Sequence, residues 1–521
     1  MAGDSTGMSF SHLKNNTNKK WWLDPCLRVN VVQCIGLYFC VFYLGYDAAL
    51  LNGLQAMPQW QEYFDSPSGN FLGLISASLF LPAIVTPYIS AWINGIWGRK
   101  MALTVGSVIL IIGAFINAFA KNVGMFIAGR VLIGAAGPFG KTTAIALLQE
   151  VAHPRLRPLL STCFYSNYYI GAAIASWFCY GALDWGTTDW AWRAPCLFQI
   201  FAPMMVLCHL LIVPESPRWQ IHKERTEAAM ATLVKWHANG DQDDELVKHE
   251  YKEICYALEL EAENKSTRYM DFLKTPGNRR RLLVLVTMAT GTNWIGNGII
   301  SYYLAPALKL VGITDAHQIS GINGGLAVWN LFLAYAGSLN AERVGRRKLW
   351  LTSTIGMLCS YVVMTGLSGS FAENKTRGVG IAVVPVMFIY YGFYDIGWTP
   401  LPFSILLSVQ SVAQAFNQWV NPVALKSIAW KYYIVYVVLI AMYLVLIWFF
   451  FPETRRLTIE EVSFVFDTGR MGTGHAATQH LHQRSHKDEE GVMADVNPGK
   501  EDAGPPKSGD SAHVEELGSR H

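Results

Sequence analysis

Apolar residues in this chain gather into long stretches divided by short polar ones. Six such stretches lie near 29–51, 70–93, 101–120, 123–148, 160–182 and 195–213. After a polar interval six more follow, near 282–305, 318–340, 349–370, 379–399, 402–425 and 431–451. Each is close to the roughly 20 residues that a helix needs to cross a hydrocarbon core. Backbone polar groups in lipid must be satisfied within the segment, so stretches of this kind read as helices. The pattern predicts an all-α polytopic membrane protein of about 12 transmembrane helices. Its expected parts are an N-terminal cytosolic tail (1–28), a six-helix half (29–213), a cytosolic linker with short helices (214–281), a second six-helix half (282–451) and a cytosolic, largely disordered tail (452–521).

Composition agrees. Of 521 residues, 52% are hydrophobic and 15% charged, against about 25% charged in an ordinary soluble chain. The net charge of +3 matters less than its placement. "GRK" (98–100), "HPRLR" (153–157), "NRRR" (278–281), "ERVGRRK" (342–348) and "ETRR" (453–456) all fall between stretches on one side, whereas the opposite loop at 52–69 has no Lys or Arg. The positive-inside rule then places both ends in the cytosol. The sequon at Asn374 falls on the other face, as that topology permits. The first thirty residues are polar and the first apolar run is too long for a secretory leader, so no signal peptide is expected. Nine cysteines without a C-x-x-C pair read as small buried hydrophobes rather than metal ligands or disulfides. No Ser-His-Asp, zinc or paired-carboxylate set is visible. Neither an enzyme, a cofactor, a metal nor a nucleic-acid partner is expected.

"GAAGPFGKTT", Gly134 to Thr143, poses a nucleotide question. A phosphate-binding loop needs G-x-x-x-x-G-K-[ST] between a strand and a helix. Five places before Gly140 stands Ala135, and the flanking runs "MFIAGRVLIGAA" and "TAIALLQEV" have no strand punctuation. The run is a membrane helix carrying charge. Lys141 inside it either faces a cavity, where it could answer an acidic substrate, or pairs with a carboxylate such as Glu150 or Asp395. Packing or pairing is the preferred role.

The two halves repeat. Gly98-Arg99-Lys100 follows span two and Gly345-Arg346-Arg347-Lys348 follows span eight. Pro214-Glu215-Ser216-Pro217-Arg218-Trp219 closes span six, and Pro452-Glu453-Thr454-Arg455 closes span twelve. Duplicated six-helix halves suit a transporter that rocks around a midplane site. With "GYD" in span one and "GRVLIG" in span four, the ordered motifs resemble the sugar porter family of the major facilitator superfamily. "NGLQAMPQWQEYF" and "DIGWTPL" resemble its fungal lactose-permease and hexose-transporter-like group. The resemblance covers about 25–460. It implies the major facilitator fold and transport of a sugar (a hexose, or a disaccharide such as lactose) by a monomer in the plasma membrane. Proton symport, facilitated uniport and a transport-impaired sensor or paralogue are all compatible with it.

The same resemblance assigns roles to residues. Asp47 and Arg130 match the family's proton-coupling pair. An unpaired Asp47 would hold a proton, and the approach of Arg130 would ionise it. Gly98, Arg99, Lys100, Glu150, Arg157, Glu215, Arg218, Glu342, Gly345, Arg346, Arg347 and Glu453 match its cytosolic gating motifs. Tyr165, Asn167, Asn293, Asn297, Asn330, Trp398, Asn417, Gln418 and Trp419 fall at or near its sugar-contacting positions, where amides and aromatic rings bind a polyol. Three departures stand out. Gly95 replaces an aspartate before Gly98, and Pro158 replaces a glycine after Arg157. Span ten runs into span eleven without the usual loop, so that Gly98 and Glu215 stand 117 positions apart but Gly345 and Glu453 only 108. Pro400 and Pro402 are left to make the turn.

Overall fold

The computed structural model describes residues 14–18, 20–263, 271–398 and 407–451. Among them there is no strand, and each of the twelve apolar stretches is helical over most of its length. Among the described residues, nine helical segments are long and apolar enough to cross a membrane, and one of these, Ser408–Phe450, contains two helices, Leu407–Ile428 and Tyr432–Phe450. Two predicted spans differ for local reasons. Span two is broken into Asn70–Ala77, a tight turn at Pro82–Ile84 and Thr86–Trp97, because Pro82 and Pro87 donate no backbone hydrogen bond. Span five is one long helix, Arg157–Ala182, whose serines, asparagine and tyrosines dilute its apolarity. The connection between spans ten and eleven, with its two prolines, and the segment holding Glu453 lie outside the described residues.

The bundle's outer surface carries exposed apolar side chains such as Ile112, Phe332 and Val438, a surface suited to lipid rather than water. Between helices the packing relies on small residues. Span one (Phe39–Ala56) lies so close to span five that a Cβ on Gly45 would sit 1.8 Å from the Tyr168 carbonyl oxygen. Close backbone approach of this kind substitutes for the hydrophobic drive that helices lack in lipid. Span five also packs along span eight (Ala316–Val344), and span one against Asn297–Leu310 of span seven, so these four elements join the halves.

At the end of the bundle bearing the basic motifs, the first half is tied together by polar contacts. Arg99 donates to Glu150 through Nε at 3.0 Å and Nη2 at 2.9 Å. Glu215 accepts the backbone N–H of Arg99 at 3.0 Å and of Lys100 at 3.2 Å, a carboxylate set on the N-terminus of helix Arg99–Ala118 where the helix dipole favours it. Gly98 has φ +95°, and a Cβ there would meet Glu215 at 2.6 Å. The second half repeats the backbone device, with Gly345 at φ +104° before Arg346–Asn374. The side chains of Glu342 and Arg346 lie outside those described, and Arg347 donates to the Trp448 carbonyl at 2.7 Å. Where the family aspartate is missing, the Gly95 carbonyl accepts from the Trp219 indole at 3.2 Å.

The linker helices Thr226–His237 and Glu245–Glu263 are joined to the same end. Arg157 donates to Glu250 at 2.7 Å rather than to another loop motif, and Arg218 pairs with Glu261. The His237 Nδ1 lies 2.7 Å from Glu250, and its Nε2 lies 3.0 Å from the Val151 carbonyl. Burial by itself would raise the Glu250 carboxyl, but the adjacent His237 and Arg157 outweigh it and hold the group at about 2. The neighbouring His153 is pushed down to about 3, by burial first and then by His237.

The pH dependence follows from both shifts. Glu250 stabilises this contact fully above its ordinary value of 4.5, and the contribution is lost as pH falls toward about 2. His153 stays neutral when folded, so protonation of the unfolded ring opposes folding as pH drops below its ordinary 6.5. Proteolysis of the linker in detergent solution should therefore accelerate as pH falls below 6.5, through His153 first and through Glu250 as well below 4.5. Glu250→Ala should make the linker labile at pH 7, since breaking a buried pair costs about 3–5 kcal/mol. Cleavage independent of both changes would show that this cluster does not hold the linker.

Candidate functional site

A cavity of about 370 Å³ lies between the halves. On span one it runs from Val41 to Ala49. One to two turns further the halves are bonded to each other. Asn52 donates to Asn323 Oδ1 at 3.0 Å and accepts from the Leu304 N–H at 3.0 Å, while Gln55 donates to the Tyr302 carbonyl at 2.9 Å. Asn323 in turn donates to Ser176 at 2.9 Å. These bonds close the cavity at the end away from the basic motifs.

Its lining mixes apolar residues with hydroxyls and amides. Span five presents Tyr165, Tyr168, Tyr169, Ala172 and Ser176, the three- and four-residue spacing of one helix face. The broken span seven, interrupted at Ile295–Gly296, adds Asn293, Asn297, Ser301 and Tyr302. Span ten contributes Tyr391, Tyr394 and Trp398, and span eleven Gln410 and Gln414. Several of these groups are already oriented by one another. Asn297 donates to the Tyr394 hydroxyl at 2.9 Å, Ser301 meets the Tyr391 hydroxyl, and the Trp398 indole reaches Thr354 at 3.3 Å.

Asp47 lies on the wall and is buried. Gln199 donates to its Oδ1 at 2.6 Å, and Arg130 Nη1 stands 3.9 Å from the same oxygen. The guanidinium is anchored by its Nε, which donates to the Ile75 carbonyl at 2.9 Å. Its two terminal nitrogens make no hydrogen bond among the described residues. The pair is therefore close enough to interact by charge and too far apart to be hydrogen-bonded.

The model of the family described as "Sugar (and other) transporter" matches residues 33–466. The chain belongs to that family. It is similar to a high-affinity glucose transporter of Kluyveromyces lactis, 25% identical with 83% of this chain and 84% of the relative covered. A sugar transporter of Saccharomyces cerevisiae, STL1, is 28% identical over 71% of this chain and 68% of its own length. Among solved structures, the partially occluded inward-open xylose transporter XylE of E. coli matches with a TM-score of 0.69 at 19% identity, covering 81% of this chain and all of that one. The fold is that of the major facilitator superfamily, and both fold and family are those of multi-pass membrane transporters rather than enzymes.

Of the residues expected to contact the sugar in this sugar porter, Tyr165, Asn293, Asn297, Asn330 and Trp398 line the cavity. Four other expected residues do not. Asn167 donates to the Cys163 carbonyl one turn back at 2.9 Å, off the span-five face that carries the tyrosines. Asn417 meets the Asn293 carbonyl and accepts from Tyr436 at 2.9 Å. Gln418 is buried with no hydrogen bond from its side-chain amide among the described residues. Trp419 is 41% exposed on the bundle's outside. The reason is helical geometry, since adjacent residues in helix Leu407–Ile428 point about 100° apart. The stripe that reaches the cavity is Gln410 and Gln414, with Asn417 and Asn421 continuing it into a buried tyrosine cluster.

The stretch Gly134–Thr143 is helical throughout, with one wide π turn at Phe139–Thr143. Lys141 lines the cavity and donates to Gln410 Oε1 at 3.3 Å. Neither carboxylate weighed as its partner is engaged with it, because Glu150 binds Arg99 and Asp395 accepts from Tyr169 and, with the Asn330 amide turned so that its nitrogen faces the acid, from Asn330 at 3.1 Å. Sequence reasoning missed Tyr168, Tyr169, Tyr302, Tyr391, Tyr394, Asn323, Gln410 and Gln414. For those on spans five, ten and eleven, three- and four-residue recurrence was the available signal.

Proposed function

We propose that this chain is a plasma-membrane sugar symporter driven by protons and working by alternating access. Both ends lie in the cytosol, and the substrate is a hexose or a disaccharide such as lactose. The observation that carries the reading is the Asp47–Arg130 pair, held at 3.9 Å on the wall of a hydroxyl- and amide-lined cavity. A carboxylate in an apolar wall favours its proton, and a guanidinium moving closer favours ionisation. The Arg130 terminal nitrogens have no other hydrogen bond among the described residues to hold them back. Protonation is thereby tied to whatever motion changes that distance. One solved relative of like fold carries the description of a proton:xylose symporter, which supports the same reading. With the termini cytosolic, the end closed by Asn52, Gln55 and Asn323 is extracellular.

The sugar would be held by Tyr165, Asn293, Asn297, Asn330 and Trp398, with the cavity tyrosines and Gln414 supplying further hydroxyl and amide groups. The Arg99–Glu150 and Glu215 contacts lie within the first half, so they would stiffen it as a unit that rocks against the second.

Uptake of labelled sugars in transporter-deficient cells, with and without a proton gradient, tests this reading. Asp47→Asn should abolish accumulation against a gradient and leave downhill exchange. Full concentrative uptake by that variant would contradict proton coupling, and gradient-independent transport by the native chain would make it a uniporter. No uptake of any sugar by a chain that reaches the surface would make it a transport-impaired relative.

Asn293→Ala should raise the apparent half-saturation constant about tenfold at unchanged surface abundance, as loss of one hydrogen bond worth roughly 1–3 kcal/mol requires. Trp419→Ala, on the outer surface, should leave that constant unaltered. The reverse pattern would return Asn293 to packing and put the site elsewhere.

A further inference from the structure

Among the described residues that line the cavity, two carry a formal charge, Asp47 and Lys141. Asp47 is answered by Arg130 and Gln199. Lys141 is answered by a neutral amide, that of Gln410, and no carboxylate lies within ion-pair distance of it among the described residues. The remaining candidates are spent elsewhere, Glu150 on Arg99 and Asp395 on Tyr169 and Asn330. The cavity wall therefore carries one uncompensated cation.

Snorkelling does not account for it. A lysine that serves only to anchor a helix sits near the end, where its stem can reach the interface. Lys141 stands ten positions from the nearer end of the helical segment Val123–Val151, about 15 Å along the axis. Its backbone is also irregular. The π turn Phe139–Thr143 interrupts an otherwise regular helix at the residue that bears the charge, and turns of this kind recur at functional sites. A cation held at membrane depth without a counter-charge is costly, and the cost is relieved when a ligand brings the missing anion.

From the uncompensated Lys141 ammonium, Gln410 and Asn293 on one wall of this cavity, we propose that the substrate is a polyol bearing a carboxylate, a sugar acid rather than a neutral sugar. The carboxylate sits between Lys141 of the first half and Gln410 of the second, and takes the place of the Gln410 oxygen on the ammonium. The Asn293 amide, which donates to the Gln410 carbonyl at 3.3 Å, lies beside that position. The hydroxyl-bearing part of the substrate faces Tyr302 and Gln414, which line the same cavity. Because the anion touches both halves, it bridges the boundary across which alternating access must work. The inference rests on the sugar-transport reading and replaces its neutral hexose or disaccharide with a sugar acid.

The test compares acids with their neutral parents on the purified full-length chain in detergent. Binding of D-glucuronate and D-galacturonate is measured by calorimetry beside D-glucose and D-galactose, with proteoliposome uptake as a second readout. At least one acid should bind about tenfold or more tightly than its parent, as a charge-assisted hydrogen bond replacing a neutral one implies. Lys141→Arg should keep that preference and Lys141→Gln should lose it, the thermal transitions of both variants serving as the control for folding. If the native chain binds the hexoses as well as or better than the acids, this inference fails and sugar transport stands. A preference that survives Lys141→Gln removes Lys141 from the site and also overturns it. Binding of neither class overturns both readings.

Discussion

Asp47 and Arg130 face each other at 3.9 Å inside a bundle whose outer surface is built for lipid. An ionised group in such surroundings must find an opposite charge, a hydrogen-bond donor or a proton. Here the carboxylate has one amide donor, Gln199, and a cation that stops short of hydrogen-bonding it. The surrounding structure sets that distance. Gly45 brings span one against the backbone of span five, and the Ile75 carbonyl of the broken span two anchors the Arg130 side chain. Small shifts of spans one, two and four therefore change the electrostatic balance at Asp47 directly.

The polar contacts divide into two sets with different consequences. Within the first half, Arg99–Glu150 and the Glu215 cap join elements to one another and are partly shielded from solvent. Across the halves, the bonds of Asn52, Gln55 and Asn323 are neutral and gathered at one end of the cavity, while Tyr169–Asp395 and Lys141–Gln410 cross the boundary with one charged partner each. Neutral hydrogen bonds contribute only about 0.5–1.5 kcal/mol each. That is strong enough to favour one arrangement and weak enough to be exchanged for another. Stiff halves joined by exchangeable amide contacts are what a rocking mechanism needs.

The membrane fold was legible because lipid permits so few solutions. Twelve apolar stretches, the repeated Gly-Arg-Lys motifs and the basic loops all report constraints that act locally along the chain. The site was only half legible. Asn293, Asn297 and Asn330 stand out as amides in apolar runs, and all three line the cavity. Asn417, Gln418 and Trp419 rest on the family resemblance; successive residues diverge around a helix, and none of the three lines the cavity. Apart from Tyr165, the cavity tyrosines are hard to read from sequence, because a tyrosine in a membrane helix serves equally as packing, interface anchor or cavity wall. Asp395 is visible as a buried acid, but its partners Tyr169 and Asn330 stand 226 and 65 positions away, a separation that no local pattern encodes. Lys141 was judged more suited to pairing, and its engagement by Gln410 follows from span eleven, equally remote in sequence.

The claim on which the rest hangs is that substrate and proton move together through Asp47. Purified chain in proteoliposomes loaded with a pH-sensitive dye offers the most direct reading, with the hexoses and uronates above as substrates and no imposed gradient. Proton coupling predicts that addition of a transported substrate acidifies the lumen at about one proton per molecule carried, and that Asp47→Asn carries substrate with no acidification. Substrate entry without lumenal acidification in the native chain would contradict it.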